Sequence, residues 1–254
     1  MWYDYHLHTA RCGHARGTME EYIQAARDRG LREIGFADHI PMYWLPENLR
    51  DPELAMSAAE LPNYIEDVAY FREKYPDMVV KLGIEADYIP GREEELSKVL
   101  SCYNFDYVLG SIHYVDGWGF DNPAHIKKYE DWNIDELYHR YFHLVQQAAL
   151  SGLFDIIAHP DLVKKFGYRP KGNLQELYRE TARVFKRAGV YVEINTAGLR
   201  APVGEVYPHP DLLRHCIEQG IKFTLGSDAH APEQVGEGLD SVSSLVNAKH
   251  LARL

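Results

Sequence analysis

Two short segments of the chain carry metal-ligand side chains at alternate positions. His6 and His8 stand in the sequence His-Leu-His near the start, and Asp228 and His230 stand in Asp-Ala-His near the end. Each segment closes an apolar run typical of a β-strand, where side chains two positions apart point to the same side. Imidazole nitrogen and carboxylate oxygen suit Zn, Mn or Fe rather than Ca. The two pairs therefore predict one shared metal site, and a metal-dependent hydrolase is the first hypothesis for the activity.

The elements that must position these pairs follow from the hydrophobic pattern. Seven β-branched or aromatic runs alternate with helical patterns: Tyr3–His8, Glu33–His39, Met78–Asp87, Tyr107–His113, Asp155–His159, Val190–Asn195 and Lys222–Asp228. Their ends recur at intervals that suit strand–helix–strand units, which need about 30 residues or more. Several runs are too apolar for a sheet with one solvated face, which favours parallel strands covered by helices. The pattern predicts an α/β fold, a TIM-like βα barrel with seven rather than eight strands.

Boundary signals mark the helices between these strands. Three segments are typical of capping boxes or close variants: Thr18 to Glu21, Asn133 to Glu136 and Asn173 to Glu176. Glycines stand where helix C-caps belong, at Gly30, Gly152, Gly189 and Gly220. No segment resembles a linker or a low-complexity tract, so the sequence predicts a single domain over residues 1–254.

Composition narrows the functional class. The chain has no apolar run long enough to span a membrane and no secretory signal pattern, and its three cysteines do not make a disulfide framework. We therefore expect a cytoplasmic protein without a membrane partner. The formal charge of −11 argues against a nucleic-acid surface. It is compatible with a small anionic substrate, because bound metal ions would invert the local field.

Metal-ligand side chains recur wherever a predicted strand ends. Active sites of βα barrels lie at the C-terminal ends of the strands. In this chain those ends, and one loop just after the first of them, carry His6, His8, His14, Asp38, His39, Glu85, Asp87, His113, His159, Asp228 and His230. The sequence thus predicts a metal site at that rim of the barrel.

These strand ends resemble the ordered motifs of the polymerase-and-histidinol-phosphatase (PHP) superfamily. The matching segments are Tyr5-His6-Leu7-His8-Thr9 with His14, Asp38-His39, Gly83-Ile84-Glu85, Gly110-Ser111-Ile112-His113, Ala158-His159-Pro160 and Gly226-Ser227-Asp228-Ala229-His230. Two longer stretches, residues 159–167 and 193–200, are similar to the stand-alone histidinol-phosphate phosphatases of that superfamily.

The resemblance implies a distorted (β/α)7 barrel with three divalent metal ions, Zn, Mn or Fe. Carried onto this sequence, the first metal would be held by His6, His8, Glu85 and Asp228. Glu85 would bridge to a second metal, completed by His113 and His159. His14, His39 and His230 would hold the third, although some members of the superfamily have a carboxylate in place of His14. The implied reaction is hydrolysis of a phosphomonoester by a metal-activated hydroxide.

Two further residues are candidates for catalysis and substrate binding. Arg200 could clamp the phosphoryl oxygens, since a guanidinium matches phosphate geometry; alternatively it could pair with a surface carboxylate such as Glu205. Asp161 could protonate the leaving alkoxide, a contribution of about 10²–10⁴ in rate; alternatively it could cap the segment that follows. Asp38 could orient His39 or a neighbouring ligand, or cap a helix.

Other polar residues receive structural interpretations. His139 and His143 stand four apart without the glutamate of a metalloprotease motif, and we expect them to be partly buried helix residues. Asp87 is expected to be solvated or structural. Tyr114 and Tyr168 could line a substrate pocket. Cys12 lies close to the predicted site but is not expected to be a ligand.

Three functions compete on this evidence. The leading hypothesis is a histidinol-phosphatase of histidine biosynthesis, whose partner is a small phosphorylated substrate. The alternative is a phosphoesterase of the same superfamily that acts on another small phosphomonoester or on a nucleotide or oligonucleotide end. The third is a non-catalytic metal-binding module, which a full set of expected ligand types disfavours. A carboxylate should bind the substrate ammonium group, and the sequence does not rank Asp116, Asp121, Glu193 and Glu205. The oligomeric state is not predicted.

Overall fold

Seven parallel strands form one sheet in the computed structural model, which describes residues 3–242 and 244–254. In spatial order they are β1 (Asp4–Leu7), β2 (Glu33–Phe36), β3 (Val79–Asp87), β4 (Tyr107–Ser111), β7 (Ile156–Ile157), β8 (Tyr191–Asn195) and β9 (Phe223–Gly226). The first and last strands meet at an isolated parallel bridge between Leu7 and Ala229. The sheet therefore curls into a nearly closed barrel, and the predicted distorted (β/α)7 fold is confirmed.

Each predicted strand contains an observed strand, but the hydrogen-bonded ladders are shorter. β1, β2, β4, β7 and β9 end one to three residues before His8, His39, His113, His159 and Asp228. The chain leaves the ladder there because it must turn into the loops above the barrel. These five side chains thus lie on the first loop residues at one rim, while His6 and Glu85 lie on the strands themselves.

The helices surround the sheet. They are α1 (Met19–Asp28), α2 (Glu60–Lys74), α3 (Glu93–Leu100), α4 (Ile134–Leu150), α5 (Gln175–Ala188), α6 (Pro210–Glu218) and the short α7 (Leu239–Val242). The reciprocal capping box of Thr18 and Glu21 is confirmed, and the Asn133 side chain accepts from the amide of Glu136. The four predicted glycines follow helices with φ between 70° and 75°.

The third predicted capping box is wrong. The Asn173 side chain accepts from the amide of Gln175, only two residues on, at 2.9 Å. Helix α5 begins at Gln175, with Leu174 as its N-cap and no side-chain capping bond. Asn173 therefore stabilises the turn before the helix rather than the helix itself.

A small antiparallel hairpin, absent from the sequence prediction, lies beside the metal-ligand rim. Strands β5 (Tyr114–Val115) and β6 (Trp118–Gly119) pair across Asp116-Gly117, which have φ of 50° and 75°. Asp-Gly between short apolar pairs is typical of a tight hairpin turn, so the signal was present in the sequence. The hairpin follows His113 directly and forms one wall of the cavity described below.

The barrel interior and the helix–sheet layers form a common hydrophobic core. Several of its largest fully buried side chains are tyrosines, and each hydroxyl of Tyr64, Tyr107 and Tyr141 donates to a backbone carbonyl. Over residues 3–242 and 244–254, no helix combines the length and apolarity that a membrane crossing requires.

Candidate metal centre

Glu85 lies at the centre of the histidine cluster. Its carboxylate lies near the end of β3 and is 1% exposed, and imidazole nitrogens approach both of its oxygens. Oε2 lies 3.1 Å from His39 Nδ1, 3.2 Å from His6 Nε2 and 3.5 Å from His8 Nε2, while Oε1 lies 3.0 Å from His159 Nε2 and 3.7 Å from His113 Nε2. Such a carboxylate can serve two metal positions, one on each oxygen.

Asp228 adds a second carboxylate from the opposite side of the barrel. Its Oδ1 lies 3.2 Å from His8 Nε2 and 3.9 Å from His6 Nε2. Asp228 and His159 have positive φ values, 52° and 24°, which are rare for residues other than glycine. Strained backbone of this kind concentrates at functional sites, where surrounding contacts hold it.

A third group of histidines lies at the outer edge. His14 Nε2 and His230 Nε2 are 3.0 Å apart, and the rings of His14 and His39 lie 5.5 Å apart. The opposite nitrogen of each outer ring faces a backbone carbonyl: His14 Nδ1 that of Glu53 at 2.9 Å, and His230 Nδ1 that of Asp228 at 3.1 Å. Both Nε2 atoms therefore point toward the same place.

The crowding of charges shifts the pKa values of the cluster in opposite directions. Burial opposes ionisation of Glu85, but the nearby histidines, His39 first, hold its pKa well below the usual range. Burial also lowers the pKa of His230 to about 3, helped by the charge on His8. Burial lowers the pKa of His113 as well, but the Asp87 carboxylate outweighs it and raises that pKa to about 10.

Carboxylates stand behind three of these rings, on the side away from the cluster. The His6, His113 and His8 Nδ1 atoms lie 2.7 Å from Glu193, 3.0 Å from Asp87 and 3.6 Å from Asp38, respectively. Outer partners of this kind orient metal-ligating histidines. The structural role predicted for Asp87 is thus to orient the His113 ring. Asp38 also accepts from the amides of His39 and Thr9 and caps no helix, so of its two predicted roles the orienting one fits.

The geometry fits metal ions. Among the described residues, His8 is fully buried, yet neither of its ring nitrogens makes a well-formed hydrogen bond, although carboxylate oxygens of Asp228 and Asp38 lie 3.2 Å and 3.6 Å away. Buried polar atoms without partners are costly unless something else satisfies them. Donor atoms within 4.8 Å of one another occur in the sets His6–His8–Glu85, His6–His159–Asp228 and His8–His39–His230. All nine predicted ligands are therefore brought together, in an arrangement that could bind several metal ions.

Cys12 lies beside this cluster, and its sulfur groups with His14 and His230. Burial and the nearby Asp38 carboxylate raise the pKa of the Cys12 thiol to about 12. That Cys12 is not a ligand stays a prediction.

Arg200 is held behind the loop that carries Asp228. Its Nη2 donates to the backbone carbonyls of Ser227 at 2.7 Å and Asp228 at 3.1 Å, and its Nη1 lies 3.4 Å from Glu237. Arg200 thus pairs with a surface carboxylate, as the alternative expected, but that carboxylate is Glu237; the example Glu205 is wrong, because it pairs with Arg169 at 2.7 Å. Phosphate binding by Arg200 stays a prediction.

Asp161 is fully buried and lines neither of the two cavities at the cluster. Its carboxylate lies 3.0 Å from the Nζ of Lys164, itself 1% exposed, and accepts from the amide of His209 at 2.7 Å. Asp161 does occupy the N-cap position of the turn that follows, as the alternative expected, but its side chain makes no capping bond there. The acid role stays a prediction, and this geometry favours a structural one.

A cavity of about 450 Å³ opens directly onto the cluster, and a neighbouring one extends it past the hairpin. The extension is lined by Trp44 and Tyr114, whose rings meet edge-to-face at 5.6 Å. Asp121 lines both cavities and lies 3.1 Å from Lys165. Tyr114 is thus where the sequence predicts it. Tyr168 does not line either cavity; it stacks on Tyr129 with ring centroids 4.4 Å apart.

The helix histidines are a further correction. His139 and His143 are exposed on the solvent face of α4 rather than partly buried. The tyrosines and phenylalanine next to them, Tyr138, Tyr141 and Phe142, take the buried positions instead. The larger apolar rings therefore decide which face of α4 packs against the barrel.

Comparison with known proteins agrees with the geometry. The family model described as PHP domain matches residues 4–197. A Deinococcus radiodurans protein named probable histidinol-phosphatase is 46% identical over 235 residues, which cover 92% of this chain and 88% of that protein. The histidinol-phosphatase of Bacillus subtilis is 26% identical over 260 residues, covering 92% of this chain and 95% of that protein.

Solved structures give the same fold. A Listeria monocytogenes protein assigned as histidinol phosphatase HisK superposes with a TM-score of 0.82 at 26% identity, covering 94% of this chain and 99% of that one. The histidinol phosphate phosphatase of Lactococcus lactis, solved with Zn, L-histidinol and phosphate, superposes with a TM-score of 0.84 at 21% identity, covering 100% and 95%.

Proposed function

The chain belongs to the PHP domain family, and from this premise we propose that it hydrolyses L-histidinol phosphate to L-histidinol and phosphate, a step of histidine biosynthesis. The observation that carries the proposal is the convergence of seven histidines and two carboxylates on one rim of the barrel, next to a cavity of ligand size. The 46% identity to a protein named probable histidinol-phosphatase supports the substrate.

The proposal includes three divalent metal ions, Zn, Mn or Fe. His6, His8, Glu85 and Asp228 would hold the first, Glu85 with His113 and His159 the second, and His14, His39 and His230 the third. When bound, such ions activate water and neutralise charge on the phosphoryl group. The fully buried His6, His8 and Glu85 form the floor of the cluster, where charge interactions are stronger than in water.

Of the four carboxylates considered for the substrate ammonium group, Asp121 fits best. Asp116 is exposed and pairs with Arg140, and Glu193 is buried behind His6. Glu205 is engaged by Arg169. Asp121 lines the cavity. Burial raises the pKa of its carboxyl, but Lys165 and the nearby histidines lower that pKa by more, so the group is ionised at neutral pH.

The remainder of the substrate fits the extension of the cavity. The edge-to-face rings of Trp44 and Tyr114 offer an aromatic wall of the kind that packs against an imidazole. Lys165, which lines the cavity next to the cluster, supplies a cation for the phosphoryl oxygens. This arrangement would set the phosphoryl group at the cluster and the ring at the hairpin.

Phosphate release from L-histidinol phosphate, measured after reconstitution of the chain with each metal, tests the proposal. We expect turnover that requires added metal and is abolished when His113→Ala and Asp228→Ala are combined. The same double substitution leaves Asp121 and the aromatic wall in place, so it separates chemistry from recognition. Turnover retained by the double variant would overturn the cluster-based proposal.

A further inference from the structure

Glu193 is a buried carboxylate that the proposed chemistry does not use directly. It stands on β8, 1% exposed, and three hydrogen-bonding groups surround it. Oε1 lies 2.7 Å from His6 Nδ1, while Oε2 accepts from the His159 amide at 2.8 Å and from Asn195 Nδ2 at 3.0 Å. The carboxylate thus links His6 with the backbone of His159, two of the proposed ligands.

The partners of Glu193 decide which nitrogen of His6 carries a proton. The His159 amide and the Asn195 NH₂ group can only donate, and both donate to Oε2. Oε1 faces His6 Nδ1 and, as a carboxylate oxygen, favours a proton on that nitrogen when the ring binds a metal ion through Nε2. The other nitrogen, Nε2, then turns its lone pair toward Glu85, 3.2 Å away, where a metal ion would bind.

Gly226 leaves the space that this arrangement needs. It pairs with Asn195 across β8 and β9. A Cβ atom at position 226 would lie 2.0 Å from Glu193 Oε1 and 2.7 Å from His6 Cβ, far inside van der Waals contact. Gly226 is not among the residues with positive φ, so space rather than backbone conformation requires glycine there.

We propose that Glu193 is a positioning residue that fixes the tautomer and orientation of His6 for metal binding, and that Gly226 is the residue that makes room for it. The inference rests on the proposed metal cluster and deepens it. Nothing in the His-x-His motif itself specifies this partner, which lies 187 residues away in sequence.

The substitution Glu193→Gln tests the proposal sharply, because glutamine has one acceptor oxygen and one donor NH₂ group. If the oxygen stays with the His159 amide and Asn195, the NH₂ group faces His6 Nδ1 and drives the ring proton to Nε2, toward the metal. If the amide flips, its NH₂ group faces the donating groups of His159 and Asn195 instead. Either way we expect Zn²⁺ affinity to fall about 10–100-fold, the usual cost of losing an outer partner.

Zn²⁺ binding is measured by titration against a competing chelator, with the number of ions bound per chain as the second readout. The matched control is Glu33→Gln, a mostly buried strand carboxylate at the opposite end of the barrel whose partner is the Tyr5 hydroxyl. We expect the control to bind Zn²⁺ as the wild type does. Unchanged number and affinity in Glu193→Gln would overturn the proposal.

Two further measurements keep the test decisive if Glu193→Gln fails to fold. Gly226→Ala should weaken Zn²⁺ binding in the same way, and unchanged binding there would contradict the proposed role of Gly226. Nitrogen-15 NMR of the Zn²⁺-loaded wild type needs no variant: a proton on His6 Nδ1 is expected, and one on Nε2 would overturn the assignment. A wild type that binds no metal would instead refute the proposed function.

Discussion

His39 and Glu85 meet through both backbone and side chain. The two residues form an isolated parallel bridge beyond the last pair of the β2–β3 ladder, and the Ile40 amide donates to the Glu85 carbonyl at 2.8 Å. The His39 Nδ1 atom lies 3.1 Å from Glu85 Oε2. The sheet thus extends to the point where its side chains become ligands, which gives the site a rigid base.

Glu85→Gln should disrupt two metal positions at once. The substitution keeps the size of the side chain but replaces one acceptor oxygen by a donor that faces imidazole nitrogens. We expect about two fewer bound ions per chain and a fall in kcat/KM larger than the about 10–100-fold typical of outer partners. Elemental analysis and phosphate release measure the two effects. Wild-type metal content would contradict a bridging role.

The metal-free protein should be most stable near pH 6.5, the ordinary pKa of histidine. Burial lowers the pKa of His8, but Asp228 outweighs it and raises that pKa to about 9, and Asp87 likewise raises His113 to about 10. Raised pKa values stabilise the folded state below pH 6.5, a contribution lost as pH rises toward 10. The lowered pKa of His230, about 3, removes stability as pH falls below 6.5.

Urea unfolding of chelator-treated protein between pH 4 and 10 measures this profile. Bound metal ions displace the protons of His8 and His113, so the loaded protein should lose less stability on the alkaline side. A free energy of unfolding that rises steadily from pH 6.5 to 10 without metal would contradict the assigned pKa shifts.

Asp121→Asn should separate recognition from chemistry. Removing the carboxylate deprives a substrate ammonium group of its partner, so we expect KM for L-histidinol phosphate to rise about tenfold or more, the cost of a charged hydrogen bond. Hydrolysis of nitrophenyl phosphate, which has no ammonium group, should change little. The exposed Asp116→Asn is the control. Equal losses on both substrates would remove Asp121 from recognition.

Asp161→Asn should act mainly on stability. The substitution leaves the buried Lys164 with only the partly exposed Glu205 carboxylate, 3.4 Å away, so the cost should stay below the about 3–5 kcal/mol of a buried pair broken outright. We therefore expect a lower free energy of unfolding and similar relative losses on histidinol phosphate and nitrophenyl phosphate. A much larger loss on histidinol phosphate, whose alkoxide leaves poorly, would instead establish Asp161 as the acid.

The sequence was sufficient to predict the barrel and the convergence of the nine ligand candidates. The reason is geometric: parallel strands bring their C-terminal ends to one rim, so residues as distant as His8 and Asp228 meet once the strands are recognised. The ladder lengths could not be read in the same way, because the apolar pattern continues into loop residues such as His39 that leave the sheet.

Contacts that depend on long-range packing could not be predicted from the sequence. Glu193 was one of four equivalent carboxylates until its distance to His6 was known, and the buried pairing of Asp161 with Lys164 has no sequence signature. The Asp116-Gly117 turn, in contrast, did have a sequence signature. Residues on the loops around the cavity, such as Trp44, are placed by tertiary packing rather than by a local pattern.

The most direct test of the proposed function is kcat/KM for L-histidinol phosphate beside a panel of other small phosphomonoesters and a phosphorylated oligonucleotide end, with the chain loaded separately with Zn, Mn and Fe. The account predicts a preference for L-histidinol phosphate of about 10³ or more, since built polar recognition discriminates strongly. Weak and even rates across the panel, or a preference for the oligonucleotide end, would contradict it.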